Sequence, residues 1–448
     1  MEQYPSMKFP PLLVSAACAG IAWPVDAETV QDREGAVRND RAVMEKDAHW
    51  IYNDWQRGFD EAKRTGKPLL VVLRCVPCLA CAGIDAQVLL HETDLAPLLD
   101  QFVCVRVINA NALDLARFQF DFDLSFTTMF FNGDGTVYGR YGSWMHQKDA
   151  QEKSTVSFRR ALEGALALHR GYPANKATLA GKQGVALPYK APLEIPSLGG
   201  KYALDLDWTG KVMQSCVHCH QVGDAIRLSF RENKQPIPIE WIYPQPAPEA
   251  IGLTLATDQV ANVDAVAPGS PAAQAGLHAG DDLTTLGGQP LLSIADVSWA
   301  LNRAPEHGTL AAVVQRGGKA GAVSLPLPAG WRSKADISRR VGTWPLRGLA
   351  FGGLKLDDLA DDARSGRGLD TKAMALNVTG VGQYGKHAAA KNAGFQKDDL
   401  IVGIDGLDRR LTESELLGHL LQKHPMGDKV PVTVLRGSQR VTLTLPMQ

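Results

Sequence analysis

Five of the seven cysteines fall in two short stretches. The first, LRCVPCLACAG, spaces Cys75, Cys78 and Cys81 three apart, so either neighbouring pair reads C-x-x-C. Two thiols at that spacing form a dithiol that exchanges with disulfides, or supply two ligands to a metal, or stay inert in a packed interior. The second stretch, SCVHCHQ, gives Cys216, Cys219 and His220 in the order C-x-x-C-H. That order suits covalent haem c, with two thiols for the vinyl carbons and an adjacent imidazole for the iron. It also suits zinc held by Cys216, Cys219 and His220 with one more group, or a plain disulfide. Cys104, alone in the apolar run FVCVRV, reads as a packed core residue.

These thiols need elements to hold them. HWIYNDWQRGFDEAKRTGKP places Trp50, Trp55, Phe59 and Ala62 near one helical face and stops at Gly66 and Pro68. LLVVLRC then reads as a strand buried on both faces, the cysteines open a helix, and FVCVRVI is a second buried strand. NGDG between apolar runs predicts a hairpin, and VSFRRALEGALALH predicts a closing amphipathic helix, which bounds a unit at 45–172. A thiol at a helix N-terminus feels the positive end of the helix dipole and free N–H groups, both of which favour thiolate.

Strand, C-x-x-C, helix, strand, hairpin and helix in that order resembles the thioredoxin-like proteins. The resemblance implies that Cys78 is the exposed nucleophile and Cys81 the resolving thiol, with Cys75 an extra near the strand end. It also places Thr127, in SFTTMFF, where that family carries a cis-proline facing the sulfur, so Thr127 joins the candidate site.

From 173 to 248 the chain turns rich in Pro, Gly and Lys and reads as a linker carrying the C-x-x-C-H segment. Beyond it, VAPGSPAAQAGLHAGDDLTTLGGQPLLSIADVSWAL supplies a turn, a short helix stopped at Gly276, a turn at Gly280 and a helix capped by Ser293. This string resembles the PDZ domains of bacterial envelope proteins. The likeness implies a carboxylate-binding loop at Ile251, Gly252 and Leu253 in a unit spanning 249–330, able to take a peptide by strand addition. The pattern repeats in a second unit, 345–448, with Ala393, Gly394 and Phe395 matching Ala275, Gly276 and Leu277 and a loop at Gly348 and Leu349. Asp398 there replaces the usual glycine.

A chain of 448 residues divides into about three or four domains. Lys plus Arg total 47 against 48 for Asp plus Glu, with no basic stripe, which excludes nucleic acid as a partner. Residues 1–27 read as an export signal, Lys8 before a short apolar run and small residues before Glu28, and nothing after it spans a membrane. The expected fold class is multidomain α/β and β-rich: a thioredoxin-like fold, a short C-x-x-C-H segment and two PDZ-like domains. The whole architecture resembles a bacterial family of combined thioredoxin-like and PDZ proteins, some carrying selenocysteine. That likeness gives architecture more than activity; the activity expected from the residues is a periplasmic thiol-disulfide oxidoreductase or thiol peroxidase, coupled to haem c, whose PDZ units recruit the C-termini of envelope proteins. The alternative is a non-enzymatic envelope scaffold that binds peptides and whose cysteines are structural or hold zinc.

Overall fold

The computed structural model describes residues 28–89, 94–143 and 150–448. The expected export signal, 1–27, lies outside them. The first unit runs α1 (Glu28–Met44), β1 (Trp50–Tyr52), α2 (Trp55–Thr65), β2 (Leu69–Arg74), α3 (Ala82–Leu89), β3 (Val103–Val107), β4 (Phe126–Phe131), β5 (Val137–Tyr141) and α4 (Val156–Arg170). Its sheet has the order β1-β3-β2-β4-β5, with β1, β3 and β2 parallel, β4 antiparallel to β2 and β5 antiparallel to β4. Successive side chains of a strand point to opposite faces. Leu69 and Val71 therefore pack with Phe59, Phe118 and Phe131, while Leu70 and Val72 pack with Ile84, Phe158 and Leu162. Both faces are covered, which is why the run is unbroken; each such side chain contributes about 1.5–3 kcal/mol by leaving water.

Two local expectations change here. Trp50 belongs to β1, paired with Cys104 of β3, and α2 starts only at Trp55, capped by Asp54 accepting from Arg57 N–H at 2.9 Å. The cysteines precede a helix but do not begin one: α3 opens at Ala82, after Cys81 has taken a left-handed φ of 63°. The NGDG hairpin forms as expected, with Gly135 N–H bonded to Asn132 O at 3.0 Å.

The 173–248 stretch is not a free linker. Ile195, Leu198, Val217, Val222, Ala225 and Ile226 join the same core as Leu69 and Phe118. The last three lie on α5 (Cys219–Glu232), whose apolar stripe packs on the first unit. The serial arrangement expected from the sequence, with C-x-x-C-H as a segment of its own, is thus corrected: the motif is built into the first unit.

The first PDZ-like unit comprises β6 (Leu253–Leu255), β7 (Val263–Val266), β8 (Asp282–Leu286), β9 (Gln289–Pro290), α6 (Ile294–Asn302), β10 (Gly308–Arg316) and β11 (Lys319–Leu327). After it come α7 (Thr343–Phe351), β12 (Leu354–Asp358), β13 (Leu376–Val381), β14 (Leu400–Ile404), α8 (Glu413–Lys423), β15 (Lys429–Arg436) and β16 (Gln439–Pro446). The repeat is structural as well as sequential. Asp281 accepts from Arg316 Nε at 2.6 Å and Asp399 from Arg436 Nε at 2.8 Å, and each arginine also donates to the carbonyl of the matching glycine, Gly276 or Gly394. Gly280 N–H bonds Val263 O at 2.7 Å, and Asp398 N–H bonds Val378 O at 2.8 Å. Gly280 has φ 88° and Asp398 φ 69°, so aspartate makes the left-handed turn that glycine makes in the first unit.

Candidate functional site

Strand β2 delivers Arg74, buried, to the start of the cysteine loop. Its guanidinium donates to the carbonyls of Cys75 (2.5 Å), Cys78 (2.8 Å) and Ser125 (3.0 Å), and to Asp85 at 2.9 Å. Arg106 and Asp40 complete this buried ion cluster, with Arg106–Asp85 at 2.7 Å and Arg106–Asp40 at 2.6 Å. Backbone carbonyls held by a fixed cation cannot splay, and Cys78 N–H closes a turn on Cys75 O at 3.0 Å. The turn brings Cys75 and Cys78 together, their sulfurs 3.2 Å apart.

The sequence expectation sets Cys78 against Cys81. Cys81 is 1% exposed, has a left-handed backbone, and burial pushes its thiol up to about 11. It packs in the core beside Val72 and Ile84. The third member of the cluster is instead His218, whose Nδ1 lies 3.1 Å from Cys75 Sγ. The Cys78 thiol is lowered to about 4: the hydrogen bond from Cys75 lowers it most, burial opposes, and His218 adds to the lowering. Cys75 is held up as the protonated partner by donating to Cys78 and by burial.

The C-x-x-C-H residues do not assemble. Cys216 donates to Ile108 O at 3.2 Å, and burial raises Cys216 to about 11 and Cys219 to about 12. His220 turns to Asp224, 3.6 Å away; burial would lower the imidazole, but the Asp224 carboxylate raises it overall. The cavity that Cys216 and Cys219 line measures about 20 Å³. Such a volume takes about one water, whereas a drug-sized ligand needs some 300 Å³ or more, so no macrocycle fits. The haem c expectation is withdrawn on that ground. Zinc at Cys216, Cys219 and His220 is withdrawn as well, because the three ligands do not converge.

A larger cleft, about 540 Å³, opens between the first unit and the first PDZ-like unit. Thr127, Arg140 and Tyr141 line one wall; Thr254 and Leu255 of β6 with Ile294, Ala295 and Ser298 of α6 line the other. β6 pairs with β7 alone, so its second edge has no strand among the described residues. Thr127 Oγ1 and Arg140 Nη1 are buried with no hydrogen-bond partner among the described residues. The walls are fixed to each other by the buried Lys182–Asp296 pair at 2.6 Å, by Arg140 N–H donating to Asp296 at 3.0 Å, and by the Arg140 guanidinium over the Trp299 ring.

The expected carboxylate loops fare differently. Ile251 is buried, Gly252 (φ 80°) bonds Glu249 O at 3.0 Å and Leu253 starts β6, so these residues form the turn at the head of the open strand. Gly348 and Leu349 lie inside α7, where a Cβ on Gly348 would stand 2.7 Å from the His387 ring; they form no loop.

A family model described as thioredoxin-like matches residues 50–133, and one described as a PDZ domain matches 263–316. The chain therefore carries a PDZ domain, a peptide- and partner-binding module. The periplasmic pH-dependent serine endoprotease DegQ of Escherichia coli K12 is 29% identical over 184 residues, 41% of this chain and 35% of that protein. The periplasmic serine endoprotease DegP of Salmonella typhimurium is 29% identical over 143 residues, 32% of this chain and 26% of that protein. Among solved structures, the HtrA-type protease AlgW with decapeptide is 17% identical, with 31% of this chain and 47% of that one covered at a TM-score of 0.20. The chain spans about a third of the length of the curated relatives it matches.

These relatives correct the expected family. They are periplasmic serine endoproteases, not combined thioredoxin-like and PDZ redox proteins, and the thioredoxin-like likeness stays local to 50–133. The fold-class expectation contracts to a multidomain chain with PDZ-like β-sheet units. The expectation of a thiol-disulfide oxidoreductase or thiol peroxidase is withdrawn too, since the matching relatives are named as serine endoproteases. No described helix is long and apolar enough to cross a membrane.

Proposed function

We propose that this chain is an exported peptide-binding protein that takes an extended segment of an envelope protein into the cleft between its first unit and its first PDZ-like unit. The observation that carries this reading is the open edge of β6 facing the cleft beside α6. An extended peptide adds there as a strand, its main chain pairing with β6 and its side chains lodging against Ile294, Ala295 and Ser298. Export is supported by the N-terminal pattern and by relatives named as periplasmic.

The test is fluorescence polarisation of the full chain against a library of free C-terminal and internal peptides. We expect saturable binding by a subset, and a loss of at least about tenfold on filling the groove with Ser298→Trp. No binding by any peptide, or equal binding by Ser298→Trp, removes the reading. The relatives' names favour a second reading, HtrA-type proteolysis. Degradation of casein by the purified chain, blocked by a serine-directed inhibitor, is the result that would establish it.

A further inference from the structure

The geometry points to a second site, independent of the peptide cleft: we propose that Cys75, Cys78 and His218 bind one thiophilic d10 cation, zinc in the first instance. Their ligand atoms all lie within 4.8 Å of one another, with Sγ–Sγ 3.2 Å and Sγ–Nδ1 3.1 Å. Metal–sulfur bonds of about 2.3 Å and a metal–nitrogen bond of about 2.0 Å in a tetrahedron put ligand atoms some 3.5–3.8 Å apart. The Cys75–Cys78 and Cys75–His218 pairs would open by about half an ångström, and the third pair lies within 4.8 Å. Two sulfurs and one imidazole are a donor set that selects zinc or cuprous copper over hard cations.

Two features show that the site is built rather than accidental. First, its ligands are oriented from behind. Arg74 fixes the carbonyls of both cysteines and is itself fixed by Asp85, and the His218 backbone N–H is held by Gln221 Oε1 at 2.8 Å. Such outer contacts align metal ligands and tune their affinity. Second, Cys75 and His218 line the cavity of about 20 Å³, room for one water, which completes four-coordination. On binding, each ligating thiol that still carries its proton releases it to solvent, and both sulfurs bind as thiolates. The net charge of two thiolates and one neutral imidazole matches a divalent ion.

Competition with a chromophoric zinc chelator, on the reduced full chain, measures the affinity. We expect one zinc per chain, weakened at least about 100-fold by Cys75→Ser or His218→Ala, more than an outer contact carries, and unchanged in Cys216→Ser. Cobalt substituted into the unaltered chain reports the donor set without any variant, through thiolate-to-metal charge transfer and the visible bands of a tetrahedral ion. A cuprous chelator run in parallel assigns the metal: tighter retention of copper makes the site cuprous and leaves its ligands standing. Absence of zinc and copper at micromolar concentration overturns the proposal. So does a cobalt spectrum without sulfur charge transfer, or equal loss in Cys216→Ser.

Discussion

Asp85 sits where Arg74 and Arg106 converge, and its titration follows from that position. Burial alone would raise its carboxyl, but the Arg106 and Arg74 charges outweigh burial and hold it below the usual carboxylate range. A carboxyl depressed on folding contributes stability above its unfolded value of about 3.9 and loses it as pH falls through the folded value. Asp85→Asn should therefore cost about 3–5 kcal/mol at pH 7, the penalty of stranding a buried charge. In thermal melts, the gap to the unaltered protein should close below about pH 4. A constant gap across pH would show that Asp85 acts by packing. Thr127→Val should raise stability by about 1 kcal/mol in denaturant melts, by deleting an unpaired buried hydroxyl; an unchanged or lower stability would show that the hydroxyl has a partner. At this scale the sequence showed which residues were cysteines but not which two meet, because C-x-x-C reads equally at 75–78 and 78–81. His218 carried no signal of its own. It faces Cys75 across 143 residues, and the C-x-x-C-H spacing drew attention to His220 beside it.

Elements were more legible where local chemistry decides them. The Ser293 cap, accepting from Ala295 N–H at 3.0 Å, and the left-handed Gly276 and Gly280 stand where turn and capping rules put them. The paired turns give a test. Nothing lies within 4 Å of a Cβ built on Gly280, so only its backbone angle resists substitution. Gly280→Asp should cost under about 1 kcal/mol, since aspartate holds the same conformation at 398, whereas Gly280→Val should cost about 2 kcal/mol or more. Denaturant melts measure both; equal costs would mean that the turn does not discriminate. The second loop was misread because RGLAF, with its glycine, looks like a turn when its neighbours are unknown. In the fold it is the buried face of α7, and glycine is needed at 348 because the His387 ring occupies the space of a Cβ.

At the scale of the whole molecule, composition misled. Proline and glycine in 173–248 describe what the backbone permits and say nothing of burial, and the segment covers the Phe118–Phe131 face through Ile195, Val222 and Ile226. A fragment ending at residue 172 should consequently expose that face, bind a hydrophobic dye and aggregate, while the full chain does neither. A soluble, dye-free fragment would show the first unit to be self-sufficient. The same segment explains why the cleft could not be read from the sequence: its two walls come from stretches more than a hundred residues apart, joined by the Lys182–Asp296 pair.

Helix α5 runs for 14 residues, a rise of about 21 Å. One extremity stands among the sulfurs, and near the other Arg231 donates to His424 O at 2.6 Å and to Gln448 O at 3.0 Å, deep in the second PDZ-like unit. The helix is a beam riveted at both abutments. A cation seated on His218 would load that beam, and slower amide exchange around residues 424–448 on adding zinc would register the load at its distant bearing.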